Sequence, residues 1–467
     1  MVSLYRWRFG VFVIGGFAIL LAAMTSADAQ TSDPFVDVKA FGATGNGSTD
    51  DTAAIQKALT YAAGLGTRPE VFFPAGTYII SQTLTISSPM LLAGTAADLY
   101  GGSSIRMTSG SADVIVLAAG AAGSAIEGLA IRSSQTTLTA GAGIRVDFTT
   151  SNNGSGTTPL RIENVFVSNT YDGIWVQAAN NVYLSDLVIA STAHDGLRLG
   201  QSGSSASVLD VYIRSSIMSS APNADIDISY AAGVEMNNVQ TFRGGHGVLV
   251  ANSAQFFFQG VIADSTTGDA YSISTSNDLN FVNCWAAGSS GGHGVSLLTV
   301  NNFSWMGGFI RSNYDSGIVV NSGVQNLSVS NTALSSNGYL NSTGLDTYGI
   351  FVNQAMTNLR VTNNVFGDVG EDAGNVRQTY AMYFNTSAGA TANTAVIQGN
   401  QDFHDTFSNA YTSPWILAGN TGQLSWTVGD GAPSGSCTNG SLYSALVNGG
   451  ALSVCVNSAW HTVSLAN

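Results

Sequence analysis

The sequence predicts an all-β fold, a parallel β-helix in which short strands stack coil upon coil. One observation is a repeat. Ile162-Glu163-Asn164-Val165-Phe166-Val167 and Tyr171-Asp172-Gly173-Ile174-Trp175-Val176 are followed by Leu184-Ser185-Asp186-Leu187-Val188-Ile189 and His194-Asp195-Gly196-Leu197-Arg198-Leu199. The template recurs with its first position at Ile162, Leu184, Val208, Met236, Phe258, Phe281, Trp305, Val329 and Val361. Steps of roughly 22–24 residues lie in the solenoid range. A second observation is the period inside each repeat: the runs are short, rich in Val, Ile, Phe and Thr, and alternate apolar with polar, as strands do. The third is the turn column Asn164, Asp186, Asp210, Asn238, Gly260, Asn283, Gly307, Asn331 and Asn363. Asn, Asp and Gly tolerate a left-handed backbone, so one tight turn recurs on every coil, and stacked amides there could bond up and down the stack.

The chain opens with Arg6 and Arg8, an apolar run from Val11 to Ala23 and the exit Ala27-Asp28-Ala29. This pattern is a secretory signal peptide over 1–29, which predicts a secreted or cell-surface protein with no membrane segment after cleavage. Charged residues make up only 9 % of the chain, which suits stacked coils, where one charge repeated per coil would repel itself. The net charge of −14 argues against nucleic acid and anionic membrane as partners.

Residues 30–80 form a cap and first coil. Ile55, Ala58, Leu59 and Ala62 recur at helical spacing after Thr49 and Asp50, either of which can serve as N-cap, and such a helix would cover the open end of the stack. Asp50 and Asp51 are read as capping acids. Residues 81–415 carry the coils. Over 416–467 the style changes to a small β appendage, in which Cys437 and Cys455 are expected to pair. Cys284, inward on its strand, is expected to be a buried, inert thiol.

The stretch Val38-Lys39-Ala40-Phe41-Gly42-Ala43 through Leu59, with Val71-Phe72-Phe73-Pro74-Ala75-Gly76-Thr77-Tyr78, resembles the N-terminal signature of the pectate-lyase-superfamily β-helix proteins. The resemblance implies a right-handed parallel β-helix that handles extracellular polysaccharide, and trimers occur among such relatives. It spans lyases, hydrolases, epimerases and phage tailspikes, so it speaks to fold more than to reaction.

In that fold the strand after the variable loop floors the substrate groove. Aligning these strands gives one column of Asp172, Asp195, Ala224, His246, Gly268, His293 and Ser316. A second, three residues on, holds Trp175, Arg198, Asp227, Leu249, Tyr271 and Ser296, read as outward and as a sugar platform. The first column is similar to polygalacturonase-type hydrolases. Asn169-Thr170-Tyr171-Asp172-Gly173 stands for NTDG with one residue inserted, His194-Asp195 for the double aspartate, and Gly245-His246-Gly247 for GHG. On this reading Asp172 and Asp195 share a water as base. His194 replaces the expected acid and joins the substrate-binding residues, an extra coil precedes His246, and no RIK-like clamp follows. Asp225 or Asp227 is then left to supply the acid. Hydrolysis needs no cofactor. Elimination on uronates would instead need Arg198 or Arg243 as base and Ca²⁺ held by Asp172, Asp195 and Asp227, although no ligand spacing marks a metal site. The alternative is a non-catalytic glycan-binding or adhesion solenoid whose Asp-Gly and His-Gly pairs are turn chemistry.

Overall fold

The structure is a computed structural model. It describes residues 35–66, 68–98, 100–148, 159–203, 208–339, 347–367, 378–402, 415–418, 420, 426–429, 442–445, 452–456 and 459–463. The leader and Cys437 lie outside the described residues, so neither the cleavage site nor the expected disulfide is addressed.

The strands pair in parallel, each with the equivalent strand one coil away. In one ladder Ile162 faces Leu184, then Ile213, Met236, Phe258, Phe281, Trp305, Val329, Val361 and Ile397. Each of these side chains is essentially buried, so one apolar residue per coil builds a continuous core. Rings stack along it, with Phe281 and Trp305 5.2 Å apart and 13° from parallel. Burying each such side chain is worth roughly 1.5–3 kcal/mol, which the repeat multiplies.

Each coil carries three strands. A third sheet of fourteen strands runs from Asn46–Asp50 to Gln401–Asp402. The other two faces share long strands that bend between them: Asp172–Ser185 pairs with Asp195–Leu199 through its first half and with Val208–Arg214 through its second. The last coil of the stack includes Trp415–Ala418, paired with Ala395–Gln398. Beyond it, four strands between Trp426 and Val463 form a separate small sheet.

The corners are left-handed, as the turn column requires. Asn164, Asp186, Asn238, Asn283, Asn331 and Asn363 have φ between 50° and 57°. The repeat at 208 is displaced, however. Ile213, not Val208, continues the ladder, and Ser215 (φ 48°) takes the turn. Asp210 is left-handed too, but it stands at a different corner with Asn181 and Gly233. The amide ladders also form elsewhere than expected. One is internal, Asn364 to Asn400 to Asn420, at 3.0 and 2.9 Å. Another runs along the surface from Asp278 through Asn302 and Asn326 to Asn358.

At the N-terminal end the helix Thr52–Ala63 buries Ile55, Ala58, Leu59 and Ala62. The N-cap position falls to Asp51 rather than to Thr49 or Asp50, and its side chain makes no capping bond; Asp50, one residue earlier, accepts from the Thr52 backbone N–H and from Ser81 Oγ. Asp51 is 1 % exposed and accepts from the backbone N–H groups of Thr44 and Gly45, so it braces the preceding loop. Cys284 is fully buried, and burial pushes its thiol up to about 11. Among the described residues, no helix is long and apolar enough to cross a membrane.

Candidate functional site

On the face that begins with Asp172, register places one outward column as Arg145, Trp175, Arg198, Asp227, Leu249, Ser272 and Ser296 on successive coils. Inward neighbours Ile174, Leu197, Ile226 and Val248 fill the core. Three residues earlier, where the loop enters the strand, Asp195 faces Ala224 and Ala224 faces His246.

Asp172 and Asp195 lie on adjacent coils and are joined by one imidazole. His194 Nδ1 is 2.9 Å from Asp172 Oδ1 and 3.0 Å from Asp195 Oδ2. The two acids are 4 % and 0 % exposed, whereas His194 is 33 % exposed and shields them. Arg198 Nη1 lies 3.3 Å from Asp172 Oδ2, and the Asp195 backbone N–H also donates to Asp172. Three donors thus converge on one carboxylate. Nδ1 carries at most one proton, and it serves Asp172, so Asp195 Oδ2 has no hydrogen bond of good geometry. Burial and then the Asp227 carboxylate push Asp195 up to about 6, against a 2.7 Å hydrogen bond from Asn223. Burial also raises Asp227, which accepts from Ser229 and is 8 % exposed.

The imidazole stands where the shared water was expected. Its Nε2 has no protein partner among the described residues. Ligand atoms of Asp172, His194 and Asp195 lie within 4.8 Å of one another. That set fits calcium poorly, because calcium takes six to eight oxygens and here an imidazole and a guanidinium crowd the carboxylates.

Of the expected residues, Asp172, His194, Asp195, Arg198 and Asp227 come together, with Trp175 beside them. The Arg198 guanidinium lies 4.6 Å over the Trp175 ring, and Trp175 Nε1 donates to the Gly200 carbonyl. His246 does not join them. Ala224 separates it from Asp195, and its Nδ1 is buried without a partner.

Tyr271 is a correction. It pairs with Val248 and Val295, so it points inward, is 0 % exposed, and donates to the Val261 carbonyl. Its loop contains one more residue than the alignment allowed, and a one-residue slip moves a side chain to the other face. Ser272 takes the outward place, and Asp269, not Gly268, follows His246 by the same count. Arg243 is likewise not beside the acids. It sits exposed on a left-handed turn with its guanidinium 4.7 Å over Phe242. Asp225 accepts from the backbone N–H groups of Ala221 and Phe242 and is 0 % exposed, so it ties two turns together and cannot reach a substrate.

Two participants escaped the sequence reading. Tyr171 stacks on His194 at 5.0 Å, and Asn223 holds Asp195. Both occupy the position just before the acid column, in line with His194, and aligning that position would have found them.

The chain matches the family described as rhamnogalacturonase A/epimerase, pectate lyase-like over residues 35–241, and the right-handed β-helix region over residues 172–366. Its fold is similar to the A-module of Azotobacter vinelandii mannuronan C-5 epimerase AlgE6 (TM-score 0.55, 17 % identity, 82 % of this chain and 98 % of that one). It is also similar to tailspike protein 3 of bacteriophage CBA120 (0.60, 16 %, 93 % and 69 %). The catalytic domain of a GH87 α-1,3-glucanase, solved with nigerose, is a third (0.51, 14 %, 83 % and 69 %). A curated relative, the non-secreted LysM effector LysM19 of Penicillium expansum, is 46 % identical over 61 residues, which cover 13 % of this chain and 5 % of that protein.

Proposed function

Because the chain is a pectate lyase-like right-handed parallel β-helix protein, we propose that it is an exported enzyme that hydrolyses polysaccharide on the Asp172 face. The observation that carries this reading is the buried pair Asp172–Asp195 sharing the half-exposed His194, with a third buried acid, Asp227, one coil further on. Fold similarity to an epimerase and a glucanase is compatible with a glycan substrate.

Asp172 and Asp195 are bridged by one imidazole, so they do not face each other across a gap that a glycosidic bond could enter. They act instead on one side, through the imidazole. His194, held at Nδ1 by Asp172, takes a proton from water at Nε2, and the water oxygen attacks the anomeric carbon. The glycosidic C–O bond breaks, and Asp227 gives its proton to the leaving oxygen. Arg198 lies between these two sides, against Trp175. Elimination with an arginine as base is disfavoured because both arginines on this face are engaged with carboxylates.

A glycan panel read both by new reducing ends and by the absorbance of unsaturated uronates tests the proposal. Reducing ends without that absorbance are expected. They should fall about 10²–10⁴-fold in Asp227→Asn and in His194→Ala. Turnover unchanged in both variants, or in the double Asn variant of Asp172 and Asp195, would remove the site. Binding without turnover in the wild type would favour the adhesion reading.

A further inference from the structure

We infer that this groove accepts an uncharged glycan and rejects polyuronates. The inference rests on the assignment of the Asp172 face as the groove. Its two columns carry Asp172, Asp195 and Asp227, all nearly buried, on three successive coils, and the partly exposed Asp269 follows two coils on. Against these stand two guanidinium groups, each already matched. Arg145 lies 2.8 Å from Asp113 and 3.6 Å from Asp147, and Arg198 lies 3.3 Å from Asp172.

No other cation is available along the groove among the described residues. The chain has two lysines, Lys39 and Lys57, both ahead of the first coils, and Arg243 lies over Phe242. The segments 149–158 and 204–207, which adjoin this face in sequence, contain neither Lys nor Arg.

A polyuronate presents a carboxylate on every sugar, about 5 Å apart, close to the spacing of the coils. Laid along this groove, its charges would find no unpaired guanidinium, and one of them would meet the partly exposed Asp269 carboxylate. One such like-charge contact near a protein surface is enough to lower affinity about tenfold or more. Past Asp227 the column turns to Leu249, Ser272 and Ser296, which suit hydroxyl groups and sugar C–H faces.

Electrophoresis of the full chain through gels containing neutral glucans and mannan, or polygalacturonate and polymannuronate, at low and at high salt, tests this alongside the reducing-end assay. A neutral glycan is expected to retard the protein and to be cut at least about tenfold faster than any polyuronate, with little salt dependence. Ser272→Arg places a cation on the column outside the reacting groups. It should create a retardation by polyuronate that the wild type does not show. Wild-type protein that binds or cuts a polyuronate as well as a neutral glycan overturns the inference, as does a panel in which no neutral glycan retards it. Retardation by a neutral glycan without cleavage would defeat the hydrolase reading and leave this one standing.

Discussion

Asp195 is where function and stability pull against each other. Its carboxyl titrates near 3.8 when free and near 6 in the folded chain, so between those values the native state holds the extra proton. Stability from this group is present below about pH 4 and is lost as pH rises through 6. The shift corresponds to roughly 3 kcal/mol, as an order of magnitude. Asp195→Asn keeps an oxygen for Asn223 and removes the negative charge that burial and the Asp227 carboxylate disfavour. It should therefore be more stable than wild type at pH 7, and the two should converge near pH 4 in urea melts. A variant no more stable at pH 7 than at pH 4, relative to wild type, would refute this account of the buried acid. The pairing of Asp172 with Asp195 was legible in the sequence, because two like motifs one repeat apart must stack. The bridging role of His194 was not, since it depends on a rotamer that places Nδ1 between two carboxylates. Nor was Tyr271 legible as core. Its face turns on a single residue of loop length, which hydrophobic alternation cannot register when the loop itself is polar.

At the scale of the coil, the amide ladders divide into two kinds that ought to differ in worth. Asn364 is 0 % exposed; its Nδ2 donates to the Val329 carbonyl and to Asn400, and its Oδ1 accepts from the Thr332 backbone N–H. Asn364→Ala leaves a buried N–H and a buried carbonyl unpaired, each costing about 1–3 kcal/mol. Asn302 makes comparable bonds at the surface, to Asp278 and from Asn326, where water can replace them. Asn302→Gly, which removes the bonds without straining the left-handed backbone (φ 58°), should cost under about 1 kcal/mol. Denaturant melts of the two variants would decide it: equal losses would mean that ladder geometry, not burial, sets the contribution. The recurring Asn column announced the coil, but not which Asn would ladder. The interior ladder falls one position later, at Asn364, Asn400 and Asn420. The misplaced repeat at Val208 has a similar origin, because Asp210 also sits in a left-handed turn and satisfies the template from a different corner.

Across the stack, each coil pairs with the coils immediately before and after it, so stability is expected to be a sum of coil and nearest-neighbour terms. Turn positions make this directly testable. Asn283 and Gly307 are equivalent left-handed corners (φ 52° and 74°), as are Ser215 and Asn238 (φ 48° and 54°). Deleting residues 283–306 joins Val282 to Gly307 and lets Phe281 stack on Val329, which already occupies the same ladder as Trp305. Deleting 215–237 joins Arg214 to Asn238 in the same way, and it removes Asn223 and Asp227. Both shortened chains should keep the far-ultraviolet β signature and melt cooperatively, at lower temperature than wild type because one coil and its interface are gone. Only the second should lose turnover, since the first leaves Asp172, His194, Asp195 and Asp227 untouched. Aggregation of the 283–306 deletion would show that the core couples over more than adjacent coils. Retained turnover after the 215–237 deletion would show that Asp227 is not the acid.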